Sequence, residues 1–200
     1  MDGTGPPLVT PFDANGDVDE AALEELVGWV EDRGVDFLVP CGSNSEAELM
    51  TAGERTRVNE VVCDAASVPV LAGTGSPGFR ETLAATEAAA DAGAEAALVV
   101  TPFYYEHDQE TLEAYYRDLA DDAPVPIYLY SVPAYTDVAL APETVGRLAD
   151  HPNVAGMKDS SGNMERFTLT RRATATADFD LLIGSGSILA HAMDAGADGG

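Results

Sequence analysis

Ala155-Gly156-Met157-Lys158-Asp159-Ser160-Ser161-Gly162 holds the only lysine of the 200-residue chain. A soluble chain of this size ordinarily carries roughly ten. The apolar residues 154–157 read as a short buried strand, so Lys158 falls at its C-terminal end, ahead of a loop of small polar residues. Arginine stays protonated at any working pH. A desolvated lysine can lose its proton and become a nucleophile. The ordinary alternative is a strand-end salt bridge.

Outward from this strand, strand and helix patterns alternate along the whole chain. Strands are expected at 7–12, 37–41, 68–72, 97–101, 126–131, 154–158 and 181–184. Helices are expected at 20–33, 53–66, 80–92, 109–121, 142–149, 164–175 and 188–195. In the first helix Leu23, Leu26, Val27 and Val30 share one face, and Asp19 is placed to cap it. Pro142 suits the first turn of its helix. Strict alternation with short loops and no change of composition reads as one α/β domain over 1–200 with a parallel sheet. The count favours a (β/α)8 TIM barrel, with the chain ending at the start of the eighth strand, at 196–200. An open doubly wound sheet is the competing architecture.

Composition narrows the function. There are 35 acidic residues against 10 basic, a formal charge of −25. Such an excess argues against nucleic acid and anionic membrane surfaces as partners. Spread along the chain, it points to a salt-rich, halophilic cytoplasm, where the Debye length is about 3 Å at 1 M. Residues 1–5 carry neither a basic region nor an apolar run, and no stretch has transmembrane length. Cys41 and Cys63 read as free thiols in a reducing compartment, and the scattered histidines give no metal spacing. No metal and no cofactor is expected.

In a barrel, function belongs to the C-terminal strand ends. Those ends carry Thr10, the loop Gly42-Ser43-Asn44-Ser45-Glu46, Gly73-Thr74-Gly75, Thr101-Pro102-Phe103-Tyr104-Tyr105, Tyr130-Ser131, Lys158 and Gly184-Ser185. An amine among phenols, hydroxyls and glycine-flanked amides suits carbonyl chemistry through a Schiff base. Gly73-Thr74-Gly75-Ser76-Pro77-Gly78 also matches the dinucleotide fingerprint. It lies in the third βα unit, contains a stiffening proline, and is followed by no acidic strand end. A tight turn is the preferred reading.

These strand ends resemble the class I pyruvate-dependent aldolases and lyases, the family of dihydrodipicolinate synthase, N-acetylneuraminate lyase and 2-keto-3-deoxygluconate aldolase. The matching segments are Pro7-Leu8-Val9-Thr10-Pro11-Phe12, the loop at 42–46, Ala72-Gly73-Thr74-Gly75, Thr101-Pro102-Phe103-Tyr104, Tyr128-Leu129-Tyr130-Ser131-Val132-Pro133 and Gly156-Met157-Lys158-Asp159-Ser160-Ser161-Gly162. The resemblance implies a TIM barrel, a homotetramer, and a small-molecule keto acid and aldehyde as the partners. It implies Lys158 as the Schiff-base residue, Tyr130 as proton shuttle, and Ser43 and Asn44 as carboxylate binders. Tyr104 would complete a relay in a neighbouring subunit, and Gly184 and Ser185 would line the second-substrate site.

Two departures bear on the substrate. The family loop is typically Gly-Thr-Thr-Gly-Glu, so Asn44 trades a hydroxyl for an amide, and Ser45 stands where glycine sets the backbone. Dihydrodipicolinate synthases usually carry an arginine five residues after the shuttle tyrosine, and here Tyr135 stands there. A phenol cannot make the bidentate carboxylate contact of a guanidinium. The expectation is therefore an aldolase for a 2-keto-3-deoxy sugar acid, with dihydrodipicolinate synthase as the alternative. A barrel that binds without turnover and a nucleotide-binding protein are the remaining readings.

Overall fold

A computed structural model describes residues 1–200. Five strands, β1 (Leu71–Gly73), β2 (Ala96–Val100), β3 (Ile127–Ser131), β4 (Val154–Asp159) and β5 (Asp180–Ile183), form one parallel sheet in chain order. Eight α-helices lie along the chain: α1 (Glu20–Glu31), α2 (Ala52–Ala65), α3 (Phe79–Asp91), α4 (Gln109–Asp122), α5 (Pro133–Thr136), α6 (Pro142–Leu148), α7 (Met164–Ala173) and α8 (Leu189–Asp194). Their starts follow the sequence. Asp19, Thr51, Asp108 and Asn163 each accept a backbone N–H at an N-cap, and Thr51 with Glu54 forms a capping box. No helix is long and apolar enough to cross a membrane.

The ring closes through isolated parallel bridges. Pro7 pairs with Val39, Leu38 with Val70, Gly3 with Gly199, and Gly199 with Leu182. The bridged segments around 3–8, 38–39 and 199–200, added to the five strands, make eight parallel segments. At the seam the Gly3 N–H donates to the Asp198 carbonyl at 2.9 Å, Gly200 N–H to Gly3 at 3.0 Å, and Ile183 N–H to Gly199 at 2.9 Å. Side chains would forbid this approach, since a Cβ on Gly199 would overlap the Gly3 carbonyl.

The first strand is corrected. Pairing occupies residues 3–8 rather than 7–12, and Phe12 instead makes an antiparallel bridge to Val18. The physical reason is donor supply: Pro6, Pro7 and Pro11 have no N–H, so the glycines at 3 and 5 carry the seam hydrogen bonds. The remaining strands and helices fall within a few residues of the expected spans. α5, a single turn after β3 with Pro133 at its start, was not expected.

Strand alternation sorts three cores. Phe37, Val39, Leu71, Leu98, Tyr128, Tyr130 and Leu182 fill the barrel interior. Leu8, Leu38, Val70 and Ala72 pack outward on α1 and α2 with Leu23, Val27, Val58 and Val62. Val99, Leu129, Met157 and Ile183 pack outward on the later helices with Leu112, Tyr116, Leu148 and Phe167. On β3, Tyr128 and Tyr130 thus point inward while Ile127 and Leu129 point outward, the period-2 rule of a strand.

The glycines of the fingerprint-like stretch serve packing. A Cβ on Gly73 would overlap the Cys41 carbonyl, and one on Gly75 would stand 2.6 Å from the Val100 nitrogen. The turn that follows is satisfied internally: Thr82 Oγ1 donates to the Ser76 carbonyl at 3.1 Å and accepts its N–H at 3.0 Å. Thr74 and Thr86 hydroxyls meet at 2.9 Å. Gly73→Ala should cost about 1–3 kcal/mol of unfolding free energy or more, the range for forced overpacking. Gly53→Ala, with open space around an early helix position, should instead stabilise by about 0.5–1 kcal/mol. Denaturant titration of both variants checks the contrast.

Candidate active site

The register of β3 and β4 places Lys158 directly beside Tyr130, and β5 places Leu182 on its other side. Alternation turns Lys158 into the barrel and its neighbour Asp159 outward. There Asp159 is buried and accepts the Ser161 N–H at 2.7 Å. The chain's adjacent carboxylate is therefore kept away from the amine. Gly156, two residues earlier on the same face, leaves room for the Tyr128 ring; a Cβ there would stand 2.7 Å from Tyr128 Cδ1.

Lys158 Nζ lies 5.0 Å from the centroid of the Tyr130 ring. Burial alone lowers its pKa from the ordinary 10.5 to about 8, and no carboxylate pairs with it to hold the proton on. A sizeable neutral fraction at pH 7–8 follows, which is the state a nucleophilic amine needs.

The Tyr130 hydroxyl meets Ser43 Oγ at 3.2 Å. Ser43 belongs to a 3-10 turn, Ser43–Ser45, at the end of the second bridged segment. Cys41 (φ 52°) and Glu46 (φ 60°) take the left-handed conformations that reverse the chain. Ser45, lying between them within the turn, is fully buried: its Oγ accepts the Gly42 N–H at 3.1 Å and its carbonyl accepts Thr10 Oγ1 at 2.7 Å. The serine thus serves as a brace, and the loop needs no glycine at 45.

These elements enclose an open cavity of about 270 Å³. Lys158, Tyr130, Ser43, Asn44, Tyr135, Gly184 and Ser185 all line it. The structure does not bring Tyr104 there. Tyr104 is 86% exposed with φ 80°, stacks edge-on against Tyr105 at 5.0 Å, and borders a separate outer cleft that shares Tyr135 with the cavity. Ser160 lines the cavity as well and was not singled out from the sequence, although it stands two residues after Lys158 and so continues the same face. Gly184 is fixed by proximity: a Cβ would fall on the Ser160 hydroxyl and 3.0 Å from Lys158 Cε. Apart from Lys158, no cationic side chain reaches the cavity.

The fold and the cavity together define an α/β barrel with a desolvated lysine at a strand end. Residues 1–200 match the model of the dihydrodipicolinate synthetase family. A 4-hydroxy-tetrahydrodipicolinate synthase of Methanothrix thermoacetophila is 36% identical over 98% of this chain and 67% of its own length. A second, from Syntrophus aciditrophicus, is 42% identical over 80% of this chain and 55% of its own. An uncharacterized DapA-like lyase of Halobacterium salinarum is 39% identical over 100% of this chain and 66% of its own. Among solved structures, the Acinetobacter baumannii dihydrodipicolinate synthase complexed with pyruvate superposes with a TM-score of 0.94 at 35% identity, over 100% of this chain and 68% of that one. The 2-keto 3-deoxygluconate aldolase of Picrophilus torridus gives 0.94 at 30% identity, over 100% and 73%. The chain belongs to the dihydrodipicolinate synthetase family, whose members are carbon–carbon lyases and aldolases. It spans about half to two thirds of the length of these curated relatives.

A lysine whose folded pKa is depressed destabilises the fold while it is protonated. The unfolded chain holds the proton up to about 10.5 and the folded chain only to about 8, so stability should rise with pH between those values. Lys158→Met should therefore stabilise the protein by about 1–3 kcal/mol below pH 8. The gain should fade towards pH 10.5. Denaturant melts of both forms across pH 6–10 check this.

Proposed function

We propose that the protein is a class I lyase that forms a Schiff base between Lys158 and the ketone of pyruvate or a 2-keto acid. The observation that carries this reading is the buried, unpaired Lys158 amine beside the Tyr130–Ser43 hydroxyl pair. Neutral Lys158 attacks the C2 carbonyl, giving a carbinolamine. As nitrogen's lone pair forms C=N, the C–O bond breaks and the departing oxygen takes a proton from Tyr130, leaving as water. The iminium then accepts the electron pair of the breaking C3–C4 bond while the C4 hydroxyl gives its proton to the Tyr130 oxygen left deprotonated by the previous step, so that its O–H pair forms the C=O of the aldehyde. An aldehyde departs, and protonation of the enamine at C3 gives the pyruvate imine for hydrolysis. Ser43 and Asn44, which line the same cavity as Lys158, offer neutral donors to the keto acid's carboxylate.

The substrate we favour is a 2-keto-3-deoxy sugar acid of the 2-keto-3-deoxygluconate type. Tyr135, Ser160 and Ser185 offer hydroxyls to a polyhydroxy aldehyde, and the cavity holds no guanidinium for a second carboxylate. The alternative is 4-hydroxy-tetrahydrodipicolinate synthesis from pyruvate and aspartate semialdehyde, favoured by the names of the sequence relatives. The exposed Tyr104 and Tyr105 support assembly with further copies, as a homotetramer. The charge of −25 supports work in a salt-rich cytoplasm.

Borohydride reduction with pyruvate should add the mass of a reduced pyruvyl group to the peptide containing Lys158, and Lys158→Arg should not be labelled. Trapping should increase with pH through about 8 as the amine loses its proton. An unlabelled folded wild type would exclude imine chemistry.

For the substrate, kcat/KM for cleaving 2-keto-3-deoxygluconate should exceed that for condensing pyruvate with aspartate semialdehyde. Tyr135→Arg should shift the ratio towards the semialdehyde by about tenfold or more, the scale of one charge-assisted contact. Wild-type preference for aspartate semialdehyde would establish the alternative.

A further inference from the structure

We propose that Asp159 is a positioning residue for the aldehyde half of the substrate: its buried carboxylate holds the turn that presents the Ser160 hydroxyl to the cavity. This rests on the 2-keto-3-deoxy acid reading above.

The turn is built by side chains that bond the backbone two or three residues ahead. Asp159 Oδ1 accepts the Ser161 N–H at 2.7 Å, Ser161 Oγ accepts the Asn163 N–H at 3.2 Å, and Asn163 Oδ1 accepts the Arg166 N–H at 3.0 Å. Each is a local bond of the kind that Asp, Asn and Ser make in turns and at helix starts. In succession they carry the chain from the end of β4, through Gly162 in the left-handed region at φ 68°, to the cap of α7. The second and third bonds lie at the surface. The first is anchored in the core, because Asp159 is only 3% exposed.

A carboxylate is out of place there on packing grounds alone. Asp159 faces the outer layer, where Met157 stands two residues before it on β4 and Ile183 is its register partner on β5. Both of those are core residues. The second carboxylate oxygen, Oδ2, is buried with no partner. An unpaired buried oxygen costs stability, and an apolar side chain at this position would avoid the cost. What the carboxylate supplies in return is the bond made by Oδ1.

Ser160 is the residue that this bond orients. Its own N–H donates to the Ser131 carbonyl at 2.9 Å, and the Asp159 carbonyl accepts the Gly184 N–H at 2.9 Å. Those are backbone bonds and tie the strand ends together whatever the side chains are. The Asp159–Ser161 bond is the one a side chain makes to the backbone of 159–161. It sets the direction in which the chain leaves Ser160, and with it the place of the Ser160 hydroxyl. That hydroxyl and Lys158 Cε both lie within 3.0 Å of the point where a Cβ on Gly184 would stand. Of the other serine hydroxyls in the cavity, Ser43 bonds Tyr130 and Ser185 bonds Ser187. Ser160 offers its hydroxyl to the aldehyde half of a substrate held on Lys158 as the imine. Pyruvate has no aldehyde half, so its imine forms without Ser160.

The test is a double-mutant cycle on the cleavage of 2-keto-3-deoxygluconate, with borohydride trapping of pyruvate on Lys158 measured in every variant. Ser160→Ala should lower kcat/KM by about three- to tenfold, the worth of one hydrogen bond. Asp159→Ala should lower it by a similar factor, and Asp159→Asn, which keeps an acceptor oxygen at the same place, should recover most of that loss. The double variant Asp159→Ala/Ser160→Ala should be no worse than either single one, because both act through the same hydroxyl. Trapping of pyruvate should match the wild type throughout. Losses that multiply in the double variant would overturn the proposal, as would loss of trapping in Asp159→Ala, the mark of a distorted strand end. If Asp159→Ala does not fold, Asp159→Asn decides: activity close to wild type supports the acceptor role, and a loss as large as that of Ser160→Ala overturns it. A wild type that fails to trap pyruvate would overturn the Lys158 reading instead. One that traps pyruvate without cleaving 2-keto-3-deoxygluconate would overturn the substrate reading and this proposal with it.

Discussion

Desolvation of one amine governs how this barrel is built. In water a lysine is protonated at every physiological pH. Inside the ring the same group falls to about 8 because burial penalises its charge and no carboxylate compensates. Several features keep that environment free of a counter-ion. β4 alternation turns Asp159 to the outer layer. The interior beneath Lys158 is filled by Tyr128, Leu182, Leu98 and Phe37 rather than by acids. The acidic Asp180 lies lower down, held by the Met1 amine and the Tyr128 hydroxyl. With 35 acidic residues in 200, exclusion of all of them from the amine depends on strand register.

Glycine does much of the remaining positioning, through contact distance more than flexibility. Gly156 admits the Tyr128 ring, Gly184 admits Ser160 and the Lys158 stem, and Gly199 admits the backbone at Gly3. Each sits where two strands or a strand and a ring approach closer than a Cβ allows. By contrast, the loop at 42–46 carries serine at 45, takes its left-handed conformations at Cys41 and Glu46, and is braced by the Ser45 hydroxyl. The hydroxyl at 43 still meets Tyr130.

Much of this was legible in the sequence because the relevant signals have short periods. The 3.6-residue and two-residue patterns located the helices and strands, and the solitary lysine at a strand end marked the cavity. What escaped depends on pairing between distant segments. The first strand was placed too late because the apolar run at 7–12 is a stronger local pattern than Gly3 and Gly5, which carry the seam only because Gly199 and Gly200 lie opposite. α5 escaped because Val132-Pro133 reads equally as a strand end. The place of Tyr104 follows from its φ of 80° and its stacking on Tyr105, neither of which composition or spacing encodes.

The charge of the chain and the chemistry of the cavity meet in one further constraint. The keto acid proposed as substrate is an anion approaching a chain of net charge −25. The single cation in the cavity must shed its proton before it can attack, so it cannot also serve as a permanent carboxylate anchor. In the proposed reaction, recognition would fall to the neutral donors that line the cavity, Ser43 and Asn44, whose strength does not depend on ionic strength as a surface ion pair does. At about 8 Å, the Debye length of 0.15 M salt leaves neighbouring surface acids coupled to an incoming anion, whereas about 3 Å at 1 M nearly uncouples them. Salt that would weaken an arginine clamp at the rim thus leaves this site's neutral hydrogen bonds intact while removing the repulsion that opposes substrate entry.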